Sequence, residues 1–395
     1  MKTQVGIVGA GPAGLVLARL LELRGIESVV IEARSRDYVE QRVRAGVLEQ
    51  RSVDCLTEAG VADRLHEEGM VHHGIELRFG GQGHRIDFTK LTGGKAITVY
   101  GQQEVVKDLI AARLASDLPL LFEVSDVAVD IDRPAVSFTH EGSAVELECD
   151  VIAGCDGFHG VCRDAIASYL TVYEREYPFA WLGILAHSKP SSEELIYANH
   201  ERGFALHSMR SPSVTRSYLQ CSPDEDIEEW PDERIWEELN ARFELDAGFS
   251  LNEGEIFEKG VTPMRSFVVE PMQHRKLFLA GDAAHIVPPT GAKGMNLAIA
   301  DVELLAAALE AFYSSGDESR LASYSEDCLR RVWRVQHFSY FMTSMLHRPD
   351  GQDPFEAQLQ RAQLDYVCSS EAAARSLAEN YVGLDRVGLG NDFKP

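Results

Sequence analysis

The sequence predicts an α/β protein in three parts: a first domain built on a parallel sheet, an inserted domain with a mostly antiparallel sheet, and a helical C-terminal region. The first strand pattern, at residues 4–8, runs through a glycine-rich turn into an amphipathic helix, as in parallel sheets. Short strand patterns dominate residues 177–272, and long helical patterns follow residue 294. A buried strand pattern returns at residues 276–280, so we expect the first domain to be discontinuous.

Domain boundaries are predicted where these patterns change. We expect the first domain to span residues 1–175 and to be completed by residues 273–290, the inserted domain to span residues 176–272, and the helical region to span residues 291–395. With 395 residues, 45% of them hydrophobic, the chain can form the cores of two or three domains. Within the first domain, residues 47–65 are predicted to be helical.

The glycine-rich turn has the spacing of a dinucleotide site. Gly9, Gly11 and Gly14 follow the first strand, and Glu32 ends the second strand pattern. Glycine permits the tight turn, lets the backbone approach a pyrophosphate and lets the helix pack on the strand, while the acid can bind a ribose hydroxyl. We therefore predict a Rossmann-like domain that binds FAD or NAD, because Glu32 favours an adenosine ribose without a 2′-phosphate. A purely structural turn is the alternative.

Charge and cysteine content limit the classes of partner. The chain has 38 basic and 62 acidic residues, and its net charge of −24 opposes binding to nucleic acid or to an anionic membrane. Its seven cysteines are scattered and contain no CxxC pair, which favours a reducing cytoplasmic location. We expect no targeting segment and no metal site, because neither the histidines nor the cysteines have the spacing of metal ligands.

A second motif favours FAD over NAD. The segment Gly281-Asp282-Ala283-Ala284-His285 follows a buried strand pattern, and residues 290–296 open a helix. Free N–H groups at that helix start would face the electron-rich edge of a flavin. Only one GxGxxG turn is present in the sequence, so a permanently bound dinucleotide would occupy it.

Together these motifs resemble the single-component FAD-dependent aromatic hydroxylases. The general resemblance rests on the glycine turn, on residues 155–157 and on residues 281–285 and 288–294. More specific pocket segments extend it over nearly the whole chain, from about residue 2 to residue 384. These segments are residues 42–50, 194–200, 265–271 and 379–383.

The resemblance implies an activity. It implies hydroxylation of 4-hydroxybenzoate to 3,4-dihydroxybenzoate with O₂ and NADPH or NADH, through a hydroperoxide at C4a of the flavin. Three alternatives stay open: the same chemistry on another hydroxylated or amino aromatic acid, a dinucleotide-binding regulatory protein without turnover, and a metal enzyme. The Gly281-Asp282 motif and a pair of tyrosines argue against the regulatory protein.

The resemblance also implies which residues bind the cofactors. FAD would contact Gly9, Gly11, Ala13, Gly14, Glu32, Arg42, Val43, Arg44, Ala45, Gly46, Val47, Gln102, Asp282, Met295 and Asn296. The pyridine nucleotide would contact Arg34, Tyr38, Arg42, Arg44, His159 and Arg265. Ala33 stands where NADPH-dependent members have an arginine, so the choice between NADPH and NADH stays open. For any single arginine of this segment, a solvated surface position is the alternative.

The substrate site is implied in the same way. The carboxylate would bind a clamp of Ser208, Arg210 and Tyr218, next to Met209. The phenol would contact Tyr197 and the carbonyl of Pro289. As catalytic residues the resemblance implies Tyr197, Tyr381, His72 and Pro289, with the proton passing from Tyr197 to Tyr381 and towards His72.

An apolar stripe in the C-terminal region favours a homodimer. It is formed by Trp333, Phe338, Tyr340, Phe341, Met342 and Met345. Such a stripe is typical of protein core or of a subunit interface.

Overall fold

The computed structural model describes residues 1–42 and 46–383. Its strands are β1 (Lys2–Val8), β2 (Ser28–Ile31), β3 (Val47–Glu49), β4 (Met70–His72), β5 (Gly74–Phe79), β6 (Gln82–Asp87), β7 (Ile97–Val99), β8 (Leu120–Leu121), β9 (Ser125–Asp130), β10 (Ala135–His140), β11 (Ser143–Gly154), β12 (Thr171–His187), β13 (Leu195–His200), β14 (Gly203–Ser211), β15 (Val214–Cys221), β16 (Glu255–Glu270), β17 (Gln273–His274), β18 (Leu277–Leu279) and β19 (His285–Ile286). Its helices are α1 (Pro12–Glu22), α2 (Arg36–Gln41), α3 (Gln50–Glu58), α4 (Asp63–Glu68), α5 (Phe88–Thr92), α6 (Gln102–Ala115), α7 (Val161–Ala165), α8 (Asp232–Phe243), α9 (Gly294–Ser315), α10 (Ser319–Leu346), α11 (Pro354–Ser369) and α12 (Glu371–Val382).

The first sheet is built around β1. Its order is β17-β18-β11-β1-β2-β8, and β1 runs parallel to both β2 and β11. Val5 and Ile7 of β1 are completely buried, as expected when helices cover both faces of a parallel sheet. β18 returns to this sheet beside β11. The predicted parallel sheet is confirmed, whereas the predicted domain boundaries stay a prediction.

The second sheet is mostly antiparallel, with the order β19-β16-β12-β15-β14-β13-β5-β6. Side chains alternate between its faces, because successive strand residues point to opposite sides. One face packs against α8 through Ala205 and Leu219, and the other packs against the C-terminal helices through Tyr197, Phe204 and Tyr218. The hairpin β5–β6 joins this sheet through a parallel pairing of β5 with β13, which the sequence did not predict.

One prediction of secondary structure was wrong. Residues 47–65 were predicted to be helical, but Val47–Glu49 is a strand that pairs with β7 in a small third sheet. The rest divides into α3 and α4, because Gly60 takes a positive φ of 67°, which ends a helix. A short apolar run is compatible with either a strand or a helix. For Val47–Glu49, the pairing with β7 favours the strand.

Among the described residues, none of the helices combines the length and the apolar character that crossing a membrane requires.

His347 fixes the end of α10 to the second sheet. Its Nε2 accepts a hydrogen bond from Trp181 Nε1 at 2.6 Å, and its Nδ1 contacts the Thr343 carbonyl oxygen at 3.0 Å. The ring also stacks on Phe179 and Phe204. Both contacts fit a neutral ring with its proton on Nδ1. Burial lowers the pKa of His347 to about 3, although the contact with Thr343 opposes this effect.

Stability is therefore expected to fall in acid. The unfolded chain protonates His347 near pH 6.5 and the folded chain near pH 3, so this stabilisation is complete above pH 6.5 and is lost as pH falls towards 3. At pH 5 the loss amounts to roughly 2 kcal/mol. In urea unfolding between pH 7 and pH 5, His347→Gln should show a flatter pH dependence than the wild type. The exposed His187→Gln is the control, and an unchanged slope in His347→Gln would contradict the assignment.

Candidate active site

The glycine turn after β1 has the shape of a phosphate cradle. Gly9 has a φ of 104°, and a Cβ on Gly14 would lie 2.0 Å from the Gly9 carbonyl oxygen. A Cβ on Gly11 would meet no protein atom within 4 Å. Gly11 is the N-cap of α1 and provides no side-chain cap, so the N–H groups of the first helical turn after Pro12 have no capping side chain from this residue. An anion of the size of a pyrophosphate fits this position.

Two substitutions separate packing from binding in this turn. Gly14→Ala is expected to destabilise the protein by about 2 kcal/mol or more, because its Cβ would overlap rigid backbone. Gly11→Ala is expected to leave the melting temperature of the dinucleotide-free protein unchanged, since its Cβ has space, but to weaken dinucleotide binding. Thermal melting and dinucleotide titration measure the two effects. Equal stability losses in both variants would contradict this description.

Glu32 lies directly beside the turn. One carboxylate oxygen accepts a hydrogen bond from Ala10 N at 2.8 Å, and the other accepts one from Arg34 N at 2.8 Å. These backbone contacts orient the carboxylate and leave further lone pairs for a hydroxyl group. The sequence prediction of an acid at the end of β2 therefore matches a side chain held in place at the turn.

The next segment carries exposed cationic groups. The guanidinium carbons of Arg34 and Arg42 lie 5.3 Å and 5.8 Å from the ring centre of Tyr38, so three of the predicted nucleotide contacts lie together. Val43, Arg44 and Ala45 lie outside the described residues.

Beyond this segment, the chain packs closely against residue 100. A Cβ on Gly46 would lie 2.0 Å from the Tyr100 carbonyl oxygen, and Val47 is buried at the start of β3. Gln102 follows as the first residue of α6 and is half-buried.

The second motif brings β18 to the start of α9. Asp282 is exposed in the turn after β18, whereas Ala13, Met295 and Asn296 are buried. The Asn296 side chain is occupied: its Oδ1 accepts hydrogen bonds from Glu49 N and Ser52 Oγ, and its Nδ2 donates to the Val47 carbonyl oxygen. The backbone of Asn296, rather than its side chain, is thus the part available to a flavin.

The sequence reasoning assigned no role to a buried charge cluster next to this helix start. Lys293 Nζ donates to Glu49 Oε1 at 2.8 Å and to the Tyr381 carbonyl oxygen at 2.7 Å. Arg331 donates to the other oxygen of Glu49 at 2.9 Å. Burial alone would raise the pKa of Glu49, but the two cations outweigh it and lower the pKa. The signal was present in the sequence, because Lys293 and Glu49 both lie in the segments that carry the resemblance.

Two tyrosines meet in the buried face of the second sheet. The hydroxyl of Tyr197 on β13 is hydrogen-bonded to the hydroxyl of Tyr381 on α12, and it also contacts the Thr290 carbonyl oxygen at 3.3 Å. Burial raises the pKa of Tyr197 well above its ordinary value, and burial also raises the pKa of Tyr381. Thr290 directly follows Pro289, so the predicted phenol contacts lie together.

His72 lies apart from this pair. Neither of its ring nitrogens has a hydrogen-bond partner among the described residues, so no direct bond joins it to Tyr381. Burial lowers the pKa of His72 to about 4. Its side chain and that of Met209 line a cavity of about 610 Å³.

The predicted clamp lies on neighbouring strands. Ser208 and Arg210 lie on β14 and Tyr218 on β15, and Ser208 Oγ donates to the Arg216 carbonyl oxygen at 2.9 Å. Arg210 Nε is buried and has no partner among the described residues. Burial lowers the pKa of Arg210 to about 10, partly offset by Tyr218. A guanidinium whose buried Nε has no partner among the described residues fits an anionic ligand.

His159 and Arg265 lie around a shared aromatic ring. His159 packs edge-on against Phe158 at 5.0 Å, and the Arg265 guanidinium carbon lies 4.9 Å from the same ring. Arg265 is also paired with Glu174 at 3.4 Å. Of the predicted pyridine-nucleotide contacts that the structure describes, Arg34 and Arg42 lie at Tyr38, whereas His159 and Arg265 lie at Phe158.

Comparison with known proteins agrees with this geometry. Residues 2–339 match the family described as FAD binding domain. The chain is 50% identical over 387 residues to the p-hydroxybenzoate hydroxylase of Acinetobacter baylyi, covering 97% of this chain and 96% of that protein. It is 26% identical to the 3-amino-4-hydroxybenzoate 2-monooxygenase of Streptomyces cremeus, covering 88% and 89%.

A solved structure has the same fold. The p-nitrophenol 4-monooxygenase of Pseudomonas putida superposes with a TM-score of 0.81 at 19% identity, covering 97% of this chain and 99% of that one. This likeness concerns the fold, whereas the family assignment rests on the sequence matches. The chain belongs to the FAD-binding domain family and, within it, to the FAD-dependent aromatic hydroxylases.

Proposed function

We propose that the protein uses O₂ and NADPH or NADH to hydroxylate 4-hydroxybenzoate at the ring carbon ortho to its hydroxyl group. The product is 3,4-dihydroxybenzoate. The observation that carries this proposal is the buried Arg210 Nε, which has no hydrogen-bond partner among the described residues and lies in the same buried region as the hydroxyl pair of Tyr197 and Tyr381. Tyr218 connects the two ends, since it interacts with Arg210 and packs in the cluster that contains both tyrosines. The substrate has matching ends, a carboxylate and a phenol. The name of the 50% identical relative supports the same substrate.

The residues at the first sheet fit FAD along its length. The turn at Gly9, Gly11 and Gly14 would hold the pyrophosphate, Glu32 the adenosine ribose and Asp282 the ribityl chain. The start of α9 would lie at the flavin ring, with the backbone of Met295 and Asn296 facing it. When bound and reduced, FAD would activate O₂, so that one oxygen atom is transferred to the aromatic ring and the other leaves as water.

The clamp would bind and orient the substrate carboxylate. Arg210 provides the cation, and the hydroxyls of Ser208 and Tyr218 provide further donors. Pairing relieves the cost of a buried Nε that has no partner among the described residues, so part of the binding free energy comes from Arg210 itself. The ring is thereby held with its phenol at the far end, towards Tyr197 and Pro289.

The tyrosine pair would remove the phenol proton. A phenolate attacks an electrophilic oxygen far more readily than a phenol, so deprotonation activates the substrate. The pKa values of both tyrosines are raised by burial, so the pair passes a proton without holding a negative charge. From Tyr381 the proton would reach His72 through water, since no direct bond joins these residues in the described structure.

The pyridine nucleotide would use both cationic groups. Arg34, Tyr38 and Arg42 form one contact region, and His159 with Arg265 forms the other. Arg44, which lies outside the described residues, stays a contact implied by the family resemblance. The 2′-phosphate of NADPH could bind Arg34 or Arg42. Both NADPH and NADH are therefore to be tested as reductants.

The activity test uses the FAD-loaded protein. Addition of 4-hydroxybenzoate should stimulate NADPH or NADH oxidation, and the product should be the catechol rather than hydrogen peroxide. Isomeric hydroxybenzoates and 4-aminobenzoate serve as alternative substrates. Faster and better coupled turnover with one of them would replace the proposed substrate while keeping the reaction class.

Assembly and location are further proposals. Phe355, Leu359 and Tyr366 of α11 are 70%, 56% and 56% exposed, and Trp333 and Tyr340 of the predicted stripe are also exposed. We propose that such apolar surface is covered in a homodimer, for which sedimentation should give a particle of two 43.7 kDa chains. All seven cysteines are free thiols, which supports a cytoplasmic location.

A further inference from the structure

A buried hydrogen-bonded pair of side chains lies next to the turn that carries Asp282. His285 Nε2 and Asp301 Oδ2 are 2.6 Å apart, and their side chains are 1% and 2% exposed. The same oxygen of Asp301 accepts a hydrogen bond from Gly281 N at 3.0 Å. One carboxylate oxygen therefore links α9, the turn after β18 and the short strand β19.

The turn itself is wedged between two helices. Gly281 has a φ of 63°, and a Cβ there would lie 3.2 Å from the Cβ of Ala298 on α9 and 3.4 Å from the Cβ of Ala13 on α1. These are the helices whose starts would hold the flavin ring and the pyrophosphate. Gly281 is thus held by packing between α9 and α1 and by the hydrogen bond from its N–H to Asp301.

Charge complementarity keeps the pair in place. Burial alone would lower the pKa of His285, but the charge and hydrogen bond of Asp301, with a contribution from Asp282, raise it. Tyr324 and Cys328 of α10 also interact with Asp301, as does Cys155 at the end of β11. These buried groups surround the pair, and the hydrogen bond from Gly281 N to Asp301 connects the pair to the turn.

We propose that His285 and Asp301 are positioning residues for FAD: they fix the Gly281–Asp282 turn so that the Asp282 carboxylate meets the ribityl hydroxyls. Asp282 is exposed, so its direction is set by the backbone of the turn rather than by packing of its own side chain. This inference rests on the proposed contact between Asp282 and FAD. It adds two buried residues that do not touch the cofactor.

The test measures FAD affinity of the cofactor-stripped protein by flavin fluorescence. His285→Leu and Asp301→Asn are each expected to weaken FAD binding at least ~10-fold, and His285→Gln should recover most of the loss because its amide can still donate to Asp301. His207→Gln is the matched control, since His207 is equally buried but lies in the second sheet. Its FAD affinity should equal that of the wild type. Unchanged FAD affinity in Asp301→Asn would overturn the proposal.

A double-mutant cycle separates positioning from loss of stability. Asp282→Asn should weaken FAD binding by ~10-fold in the wild type, but by less than ~2-fold in the His285→Leu background, because the turn is already misplaced there. Additive penalties would show a merely structural role and overturn the inference alone. No effect of Asp282→Asn in the wild type would overturn the proposed ribityl contact as well. If His285→Leu does not fold, the cycle is run with Asp301→Asn.

Discussion

Replacing Arg210 by alanine is expected to weaken 4-hydroxybenzoate binding to the FAD-loaded protein by at least ~100-fold, about 3 kcal/mol. The guanidinium is the buried cation of the clamp, and its Nε has no partner in the described structure. Removing it leaves the substrate carboxylate desolvated without a counter-charge, which costs more than loss of a neutral hydrogen bond. Substrate titration by flavin absorbance measures the dissociation constant.

The same substitution should not destabilise the protein without substrate. A buried cation whose Nε has no partner among the described residues is costly, so Arg210→Ala is expected to leave the melting temperature unchanged or to raise it. Arg210→Lys keeps the charge but lacks the planar fork, so its substrate affinity should lie between those of wild type and alanine variant. Exposed Arg202→Ala is the control. Wild-type substrate affinity in Arg210→Ala would exclude the clamp.

Features encoded by adjacent residues were predictable. The glycine turn requires particular residues within one strand–turn–helix unit, so Gly9, Gly11 and Gly14 indicated the cradle directly. The C-terminal helices were equally accessible, because the long helical patterns predicted after residue 294 correspond to the helices α9, α10, α11 and α12. Local pattern and final structure agree where the same few residues determine both.

Features that depend on distant pairing were not predictable in this way. The hairpin β5–β6 joins the second sheet through β13, more than a hundred residues later in the chain, and no local pattern specifies that neighbour. The cluster of Glu49, Lys293 and Arg331 combines three separate segments. Strand β3 forms only because β7 lies beside it. Such contacts are set by tertiary packing, which the hydrophobic periodicity of the sequence does not reveal.

The candidate site also contains one part that residue chemistry predicts and one part that depends on distant contacts. Residue chemistry suggested the cofactor end, whereas the pairing of Tyr197 with Tyr381, 184 residues apart, came only from family resemblance. Geometry adds what neither supplied. It shows that the Asn296 side chain is occupied and that, among the described residues, His72 has no direct bond to Tyr381 and Arg210 Nε has no partner.

Tyr197→Phe is expected to separate flavin reduction from hydroxylation. Substrate affinity and the rate of flavin reduction should change by less than ~3-fold, because one neutral hydrogen bond is lost. Formation of the catechol at neutral pH should fall by at least ~100-fold, the usual contribution of a proton-transfer group, with hydrogen peroxide released instead. Rapid-mixing absorbance follows the flavin, and chromatography measures the catechol.

The pH dependence identifies the cause of this loss. If Tyr197 acts by accepting the phenol proton, alkaline solution should replace it, since the substrate then ionises without the tyrosine pair. Catechol formation by Tyr197→Phe should therefore recover partly as pH rises, while the wild type shows little gain. Tyr313→Phe removes a hydroxyl bonded to the Gln4 carbonyl oxygen and is the control, with normal coupling. Coupled hydroxylation by Tyr197→Phe at neutral pH would exclude the tyrosine pair as the proton acceptor.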